Sequence, residues 1–347
     1  MSEIKTNQAI ILNEPGKVSI QDLAFPILKK GEALLKIKYG GICGSDLSSY
    51  RGRFAYVSYP RIPGHEFSAE IAEIEENDRN LKPGMTVIAN PYFNCGICYS
   101  CRQGKVNCCV DNQTMGVQRD GAFVRYITMP MEKIIDGKGL PAKTLALVEP
   151  LTISYHAVKK ARICKGDKVL VVGAGTIGIF AMLAAKHFGA EVCICDISPK
   201  KLEVAKKLGA DHTIVNDTEE NFAKAVGQLT HRDGFAVTVE AVGLPSTFQN
   251  CIDAVAFSGE VIVIGVGQEN VDFDFSIIQK KELTIHGSRN AITADLIEVI
   301  EWIQKEKLDL CGMITKMYPF DEGVAVFADM DENTGEIVKI LLDFAYE

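Results

Sequence analysis

Apolar positions along this chain fall into two textures. In the first third they alternate or gather in short β-branched runs, at Ala9–Leu12, Glu32–Tyr39 and Glu70–Glu75, with Pro and Gly turns between them. That pattern predicts a β-rich region. From Lys168 the texture changes. Lys168–Val172 predicts a short buried strand, Thr176–Phe188 has helical spacing, and Glu191–Cys195 predicts a second strand. Pro199–Leu208 reads as a helix with its proline in the first turn, where proline is tolerated. His212–Val215, Ala236–Glu240 and Val261–Gly265 read as further strands, with helical stretches Glu219–Leu229 and Pro245–Phe257 between them. Alternating strand and helix predicts a doubly wound parallel sheet, hence an α/β fold. One more helix, Ala294–Lys305, precedes short mixed elements. Residues 91–110 have no period and are dense in Cys, Gly and Asn. So long a loop in a compact domain needs something to organise it.

The turn after the first of these strands is Gly173-Ala-Gly175-Thr-Ile-Gly178. A GxGxxG alone is weak, but this one follows a strand and opens a helix, as a dinucleotide site requires. Gly173 permits the tight turn, Gly175 lets a pyrophosphate approach the backbone, and Gly178 lets helix and strand pack closely. Free N–H groups and a positive dipole end at the helix start suit the phosphates. Asp196 lies 23 residues after Gly173, at the end of the second strand. A carboxylate there accepts the ribose hydroxyls and repels a 2′-phosphate, which favours NAD over NADP. Lys200 and Lys201 leave NADP open. Thr176, Ile177, Lys201 and Val242 are further candidates for cofactor contacts.

Bulk properties narrow the class. A chain of 347 residues is long enough for two domains. Its net charge of -8 argues against a nucleic-acid partner. The N-terminal stretch MSEIKTNQAIILNEPGK has no apolar leader core, and no apolar run approaches the ~20 residues of a membrane span. No membrane association and a cytoplasmic location are expected. Eleven cysteines, an odd number, read as metal ligands plus core thiols. Cys193, Cys195 and Cys251 sit in apolar patterns and fit the core.

Cys95, Cys98, Cys101 and Cys109 supply four thiolates within fifteen residues of the aperiodic loop. That dense supply fits a closed, structural zinc site, whose binding energy would shape the loop. Cys108 offers the same chemistry as its neighbour Cys109. A second set is scattered: Cys43 in GICGSD, His65 and Glu66 in GHE, and Glu149 inside the apolar run Leu145–Ile153. An ionised Glu149 there would be costly without a partner. A metal is one such partner, and a helix-capping role before Pro150 is the alternative. Thiolate, imidazole and carboxylate make an open zinc set, and Asp46 could accept the far N–H of His65.

With these residues in view, the chain resembles the medium-chain zinc alcohol dehydrogenases, within them the polyol and sugar-acid branch, over essentially its whole length. The resemblance rests on GICGSD, GHE, the four-cysteine lobe, DGAF at Asp120–Phe123, Glu149–Pro150 and GAGTIG. Ser58–Pro63, Asn107–Cys109, Glu149–His156 and Gly287–Ala291 are similar to L-galactonate-type 5-dehydrogenases, and the chain is also similar to sorbitol and L-threonine dehydrogenases. The resemblance implies a GroES-like β-rich catalytic domain at 1–153 and 290–347 around a Rossmann dinucleotide domain at 154–289, in a homodimer or homotetramer. It implies two zinc ions per chain. Cys43, His65 and Glu66 would hold the catalytic one, with Glu149 a direct or alternating ligand. Cys95, Cys98, Cys101 and Cys109 would hold the structural one.

The implied reaction oxidises a secondary alcohol of a sugar acid, such as L-galactonate, or of a polyol, with NAD+ as hydride acceptor. Ser45 would take the alcohol proton. Other alcohol dehydrogenases of the family end the proton relay on a histidine five residues after the zinc cysteine, where this chain has Ser48. Serine passes a proton but does not store one near neutral pH. Arg289 and Asn290 are substrate candidates, because arginine binds a carboxylate bidentately; Arg51, Arg53 and Arg61 are others. Competing expectations are a neutral polyol or L-threonine dehydrogenase, a zinc-free quinone or enoyl reductase, and a non-catalytic NAD-sensing protein.

Overall fold

The computed structural model describes residues 6–344. Residues 1–5, where the stretch read for a leader begins, and 345–347, the end of the expected catalytic domain, lie outside the described residues. The chain forms two compact units. One takes the chain up to Glu149, Ile292–Thr334 and the residues from Lys339 onward; the other takes Pro150–Ala291 and Gly335–Val338.

The first unit is built on a seven-stranded sheet. Its path runs Ile314–Pro319, Lys339–Asp343, Glu32–Ile42, Glu66–Ile74, Thr86–Ala89 and Ile134–Asp136, with Tyr126–Pro130 also paired to Glu32–Ile42. Register decides what meets at one end of this sheet. Gly41 pairs with Glu66, and Ile340 pairs with Ile42 on the other side. The end of one strand and the starts of its two neighbours therefore converge, bringing positions 42–43, 65–66 and 339 together. The expected segments at residues 9, 32 and 70 fall in longer strands, Thr6–Glu14, Glu32–Ile42 and Glu66–Ile74.

The second unit holds a six-stranded sheet whose neighbours are all parallel. Its order is His212–Val215, Glu191–Asp196, Lys168–Val172, Phe235–Glu240, Val255–Val263, Thr284–Gly287. That is the 3-2-1-4-5-6 order of a Rossmann fold, with the switch point beside Lys168–Val172. Val169 to Val172 are all buried, as a strand covered on both faces requires. One expectation needs correction. The helix predicted over Pro245–Phe257 ends at Ala254, and residues from Val255 belong to the strand Val255–Val263. Apolar spacing continues through the junction, but Ser258 takes φ 61° and the register shifts there, so the strand enters through a bulge. Among the described residues no helix is long and apolar enough to cross a membrane.

Candidate metal and dinucleotide sites

Cys43 directly follows the strand Glu32–Ile42 and caps the short helix Gly44–Tyr50. Glu66 begins the facing strand, His65 directly precedes it, and both are buried. One ligand atom from each of Cys43, His65 and Glu66 lies within 4.8 Å of the others. Gly41 is needed beside them, since a Cβ there would collide with the Glu66 carboxylate. Lys339, which no sequence pattern singled out, is 1% exposed and pairs with Glu66 while donating to the Ile42 carbonyl at 2.9 Å.

Glu149 stands in the first turn of the helix Val148–Val158, buried, and accepts a hydrogen bond from the Tyr92 hydroxyl. It lies outside the compact triad. Burial pushes its carboxyl up to about 7. Burial and the Glu149 charge raise the Tyr92 hydroxyl well above its ordinary range. Burial alone would lower the His65 imidazole, but the Cys43 sulfur and the Asp46 and Glu149 carboxylates outweigh it and raise it well above its ordinary value. This crowd of buried acids and a thiol around one imidazole calls for a cation, and the mixed N, O and S donors suit zinc.

Asp46 does something other than expected. Its carboxylate accepts from the Cys43 N–H at 2.9 Å, so it caps the helix Gly44–Tyr50. His65 Nδ1 is buried with no hydrogen-bond partner among the described residues. Asp46 still acts on His65 through its charge. Ser45 and Ser48, three residues apart on that helix and half-buried, share a face of it.

The four-cysteine lobe brings one sulfur each from Cys95, Cys98, Cys101 and Cys109 within 4.8 Å of one another. Cys109 Sγ accepts from the Cys95 N–H at 3.3 Å, and Cys95 Sγ from the Cys98 N–H at 3.4 Å. Backbone N–H groups of Cys101 and Val110 hold the Cys98 thiol down at about 6. Cys98 therefore favours the thiolate, the form a metal takes up, while burial and the hydrogen bond with Cys98 push the Cys101 thiol up to about 11. Cys108 is outside the cluster. The lobe holds only short pieces of regular structure, Tyr99–Arg102 and Val106–Cys108.

In the second unit, Gly173 has φ +103° and a Cβ on it would strike Val242. A Cβ at Gly178 would collide with the Gly173 carbonyl, whereas one at Gly175 would meet nothing within 4 Å. The open face at Gly175 and a twelve-residue helix without a side-chain cap form a cradle suited to a pyrophosphate. Asp196 accepts from the Ala174 N–H at 2.7 Å and from the Ser198 N–H at 2.8 Å. Thr176 Oγ1 donates to the Val338 carbonyl at 2.5 Å, and the Ile177 carbonyl accepts from the Ser154 hydroxyl at 2.8 Å. Lys200 pairs with Glu336, and the Lys201 N–H bonds the Ser198 hydroxyl. Glu240, buried at the switch point and missed by sequence, accepts from the N–H groups of Val242 and Gly243 and from the Thr247 hydroxyl. It fixes the loop that sets Val242 beside Gly173.

Of the arginines considered for substrate, Arg51 pairs with Asp331 at 2.5 Å and Arg61 with Asp120 at 3.0 Å. Arg289 is exposed, and Asn290 follows it at φ 49° with a buried, unpartnered Nδ2.

Residues 29–139 match the family of alcohol dehydrogenase GroES-like domains, and residues 176–305 match the zinc-binding dehydrogenases. The chain is 33% identical to an L-galactonate-5-dehydrogenase of Escherichia coli K12, over 98% of this chain and 100% of that protein. It is 32% identical to a sorbitol dehydrogenase of Halalkalibacterium halodurans, over 94% and 96%. An alcohol dehydrogenase structure from Escherichia coli CFT073, complexed with NADH, superposes with TM-score 0.89 at 27% identity, covering 98% of this chain and 100% of that one.

Proposed function

This chain belongs to the medium-chain zinc-dependent alcohol dehydrogenase family, and on that premise we propose that it oxidises a secondary alcohol of a sugar acid, of the L-galactonate type, to the ketone. It is a zinc- and NAD-dependent dehydrogenase of the polyol and sugar-acid kind. The observation that carries the assignment is the cluster of half-buried Cys43 with buried His65 and Glu66. These three would hold the catalytic zinc, with Glu149 in reserve, and Cys95, Cys98, Cys101 and Cys109 would hold the structural one. Bound zinc supplies Lewis acidity toward the alcohol and nicotinamide supplies the hydride acceptor.

The chain's own groups do the rest. Asp46 fixes the turn that presents Cys43. Ser45 accepts the alcohol proton, and Ser48, on the same helical face, passes it toward water. Gly173, Gly175 and Gly178 seat the pyrophosphate, and Asp196 takes the ribose hydroxyls. Asp196 is itself held by two backbone N–H groups, so its position is fixed before cofactor arrives. The pairing of Lys200 with Glu336 draws one of the two lysines away from a 2′-phosphate. The likeness to L-galactonate-5-dehydrogenase supports the sugar-acid substrate, and that to sorbitol dehydrogenase supports a neutral polyol as the second candidate.

One screen tests this: NAD+ reduction read by absorbance across stereoisomeric aldonates and their parent polyols, with L-threonine included. Highest kcat/KM on an aldonate is expected. Turnover of polyols alone would move the assignment to the neutral substrates, and an inert zinc-replete protein would overturn it.

A further inference from the structure

We propose that Tyr92 is a positioning residue whose hydroxyl holds Glu149 off the metal position made by Cys43, His65 and Glu66, keeping that position open for substrate. The proposal rests on the zinc assignment given above. Of the carboxylates at the site, Asp46 caps its helix, and Glu66 and Glu149 are each held by a side chain. Glu66 pairs with Lys339 and still lies within the triad. Glu149 is bound by Tyr92 and stays outside it. A buried carboxylate must find a donor or a cation. Without the Tyr92 hydroxyl, a zinc ion at the triad would be the strongest partner for Glu149.

Tyr92 is itself clamped at each of its polar atoms. Its N–H donates to Asn90 Oδ1 at 2.9 Å, and its carbonyl accepts from Lys133 Nζ at 2.6 Å. Asn90 is held in turn by Thr293 at 2.9 Å. Tyr92–Phe93 pairs with Gln113–Thr114 in a two-stranded ribbon. A tyrosine only packing into a core would not need its hydroxyl spent on a buried acid. The clamps hold the Tyr92 backbone in place, so the hydroxyl is carried on a fixed base and Glu149 is the group that could move.

Zinc release to a chromogenic chelator tests this on the zinc-replete enzyme. Cys43→Ser should lower the content from two zinc per chain to one, which marks the catalytic ion. A Cys43→Ser protein that keeps both overturns the site assignment itself. Tyr92→Phe should slow release of the marked ion about tenfold, a typical size for a change in a ligand's supporting shell. It should also raise KM for the alcohol while KM for NAD+ stays put. Tyr92→Phe with Glu149→Gln should return the release rate to wild type. Loosened packing would speed release, so the direction separates positioning from damage. Release as fast as wild type in Tyr92→Phe, or slow release persisting in the double variant, overturns the proposal.

Discussion

A Cβ at Gly178 would meet the carbonyl oxygen of Gly173, a backbone atom with nowhere to go. Gly178→Ala should push the helix Thr176–His187 off its strand, cost roughly 1–3 kcal/mol, and weaken NADH binding. Thermal unfolding and a fluorescence titration read both, and unchanged values would show that the turn yields. Arg289→Ala tests substrate choice. It should raise KM for an aldonate severalfold and leave the matching polyol nearly unchanged; equal effects on both would end the carboxylate-reader idea. Gly178 was legible because its motif fixes its context. Lys339 and Tyr92 were not. Lys339 meets Glu66 from 273 positions away, and Tyr92 meets Glu149 from 57. Only sheet register and helix placement bring such pairs together, and a single lysine or tyrosine in an apolar stretch gives no periodic signal. Asp46 was legible as a residue of the site but not in its hydrogen bond, because a capping box and an imidazole partner draw on the same carboxylate.

Most strands and helices of the nucleotide unit were readable because each keeps one period over its length, whereas the six-residue helix Ser276–Lys281 is too short to show one. The junction at Ala254 was not readable, since a helix and a buried bulged strand there share an unbroken apolar run. The last elements of the other unit, the strand Ile314–Pro319 and the helix Gly323–Glu332, read only as short and mixed. They are joined by a polar knot instead of an apolar stripe. Asp329 on the helix accepts from Lys316 Nζ at 2.6 and 2.7 Å, from the Tyr318 hydroxyl at 2.8 Å and from Asn333 Nδ2 at 2.9 Å. The hydrogen bond from Lys316 leads in holding this carboxyl below its ordinary range. A depressed folded value means the stabilisation is full above the unfolded carboxylate pKa, about 4, and is lost as pH falls through the lower folded value. Asp329→Asn should therefore cost under about 1 kcal/mol near neutrality, as befits a partly exposed pair. The gap to wild type should close on acidification below the unfolded value. Urea unfolding at the two pH values checks this, and a gap that widened in acid would reverse the sign.

At the scale of the whole chain, the candidate metal clusters and the candidate nucleotide cradle belong to different compact units. Both metal-capable clusters lie before Glu149, and the glycine turn and Asp196 lie after Pro150. The ligand sets differ in kind as well. The four-cysteine cluster has no backbone scaffold beyond short turns, so its metal would be part of its folding energy. The triad of Cys43, His65 and Glu66 stands on paired strand ends held by Lys339 and would persist without a metal. Stripping zinc should then have separable consequences. Activity should vanish, and residues 91–116 should gain hydrogen exchange and protease sensitivity, while Glu32–Ile42 and Glu66–Ile74 stay protected. NADH should still bind to the stripped protein, because the residues proposed to seat it include none of the metal-capable ones. Tyr92 stands three residues before Cys95, so a lobe without its metal should also loosen the anchor on Glu149. Restoring one equivalent of zinc to Cys43→Ser, whose catalytic position is lost, should recover the lobe's protection and not the activity. Protection that returned only with both positions filled would show that the two metal sites fold as one.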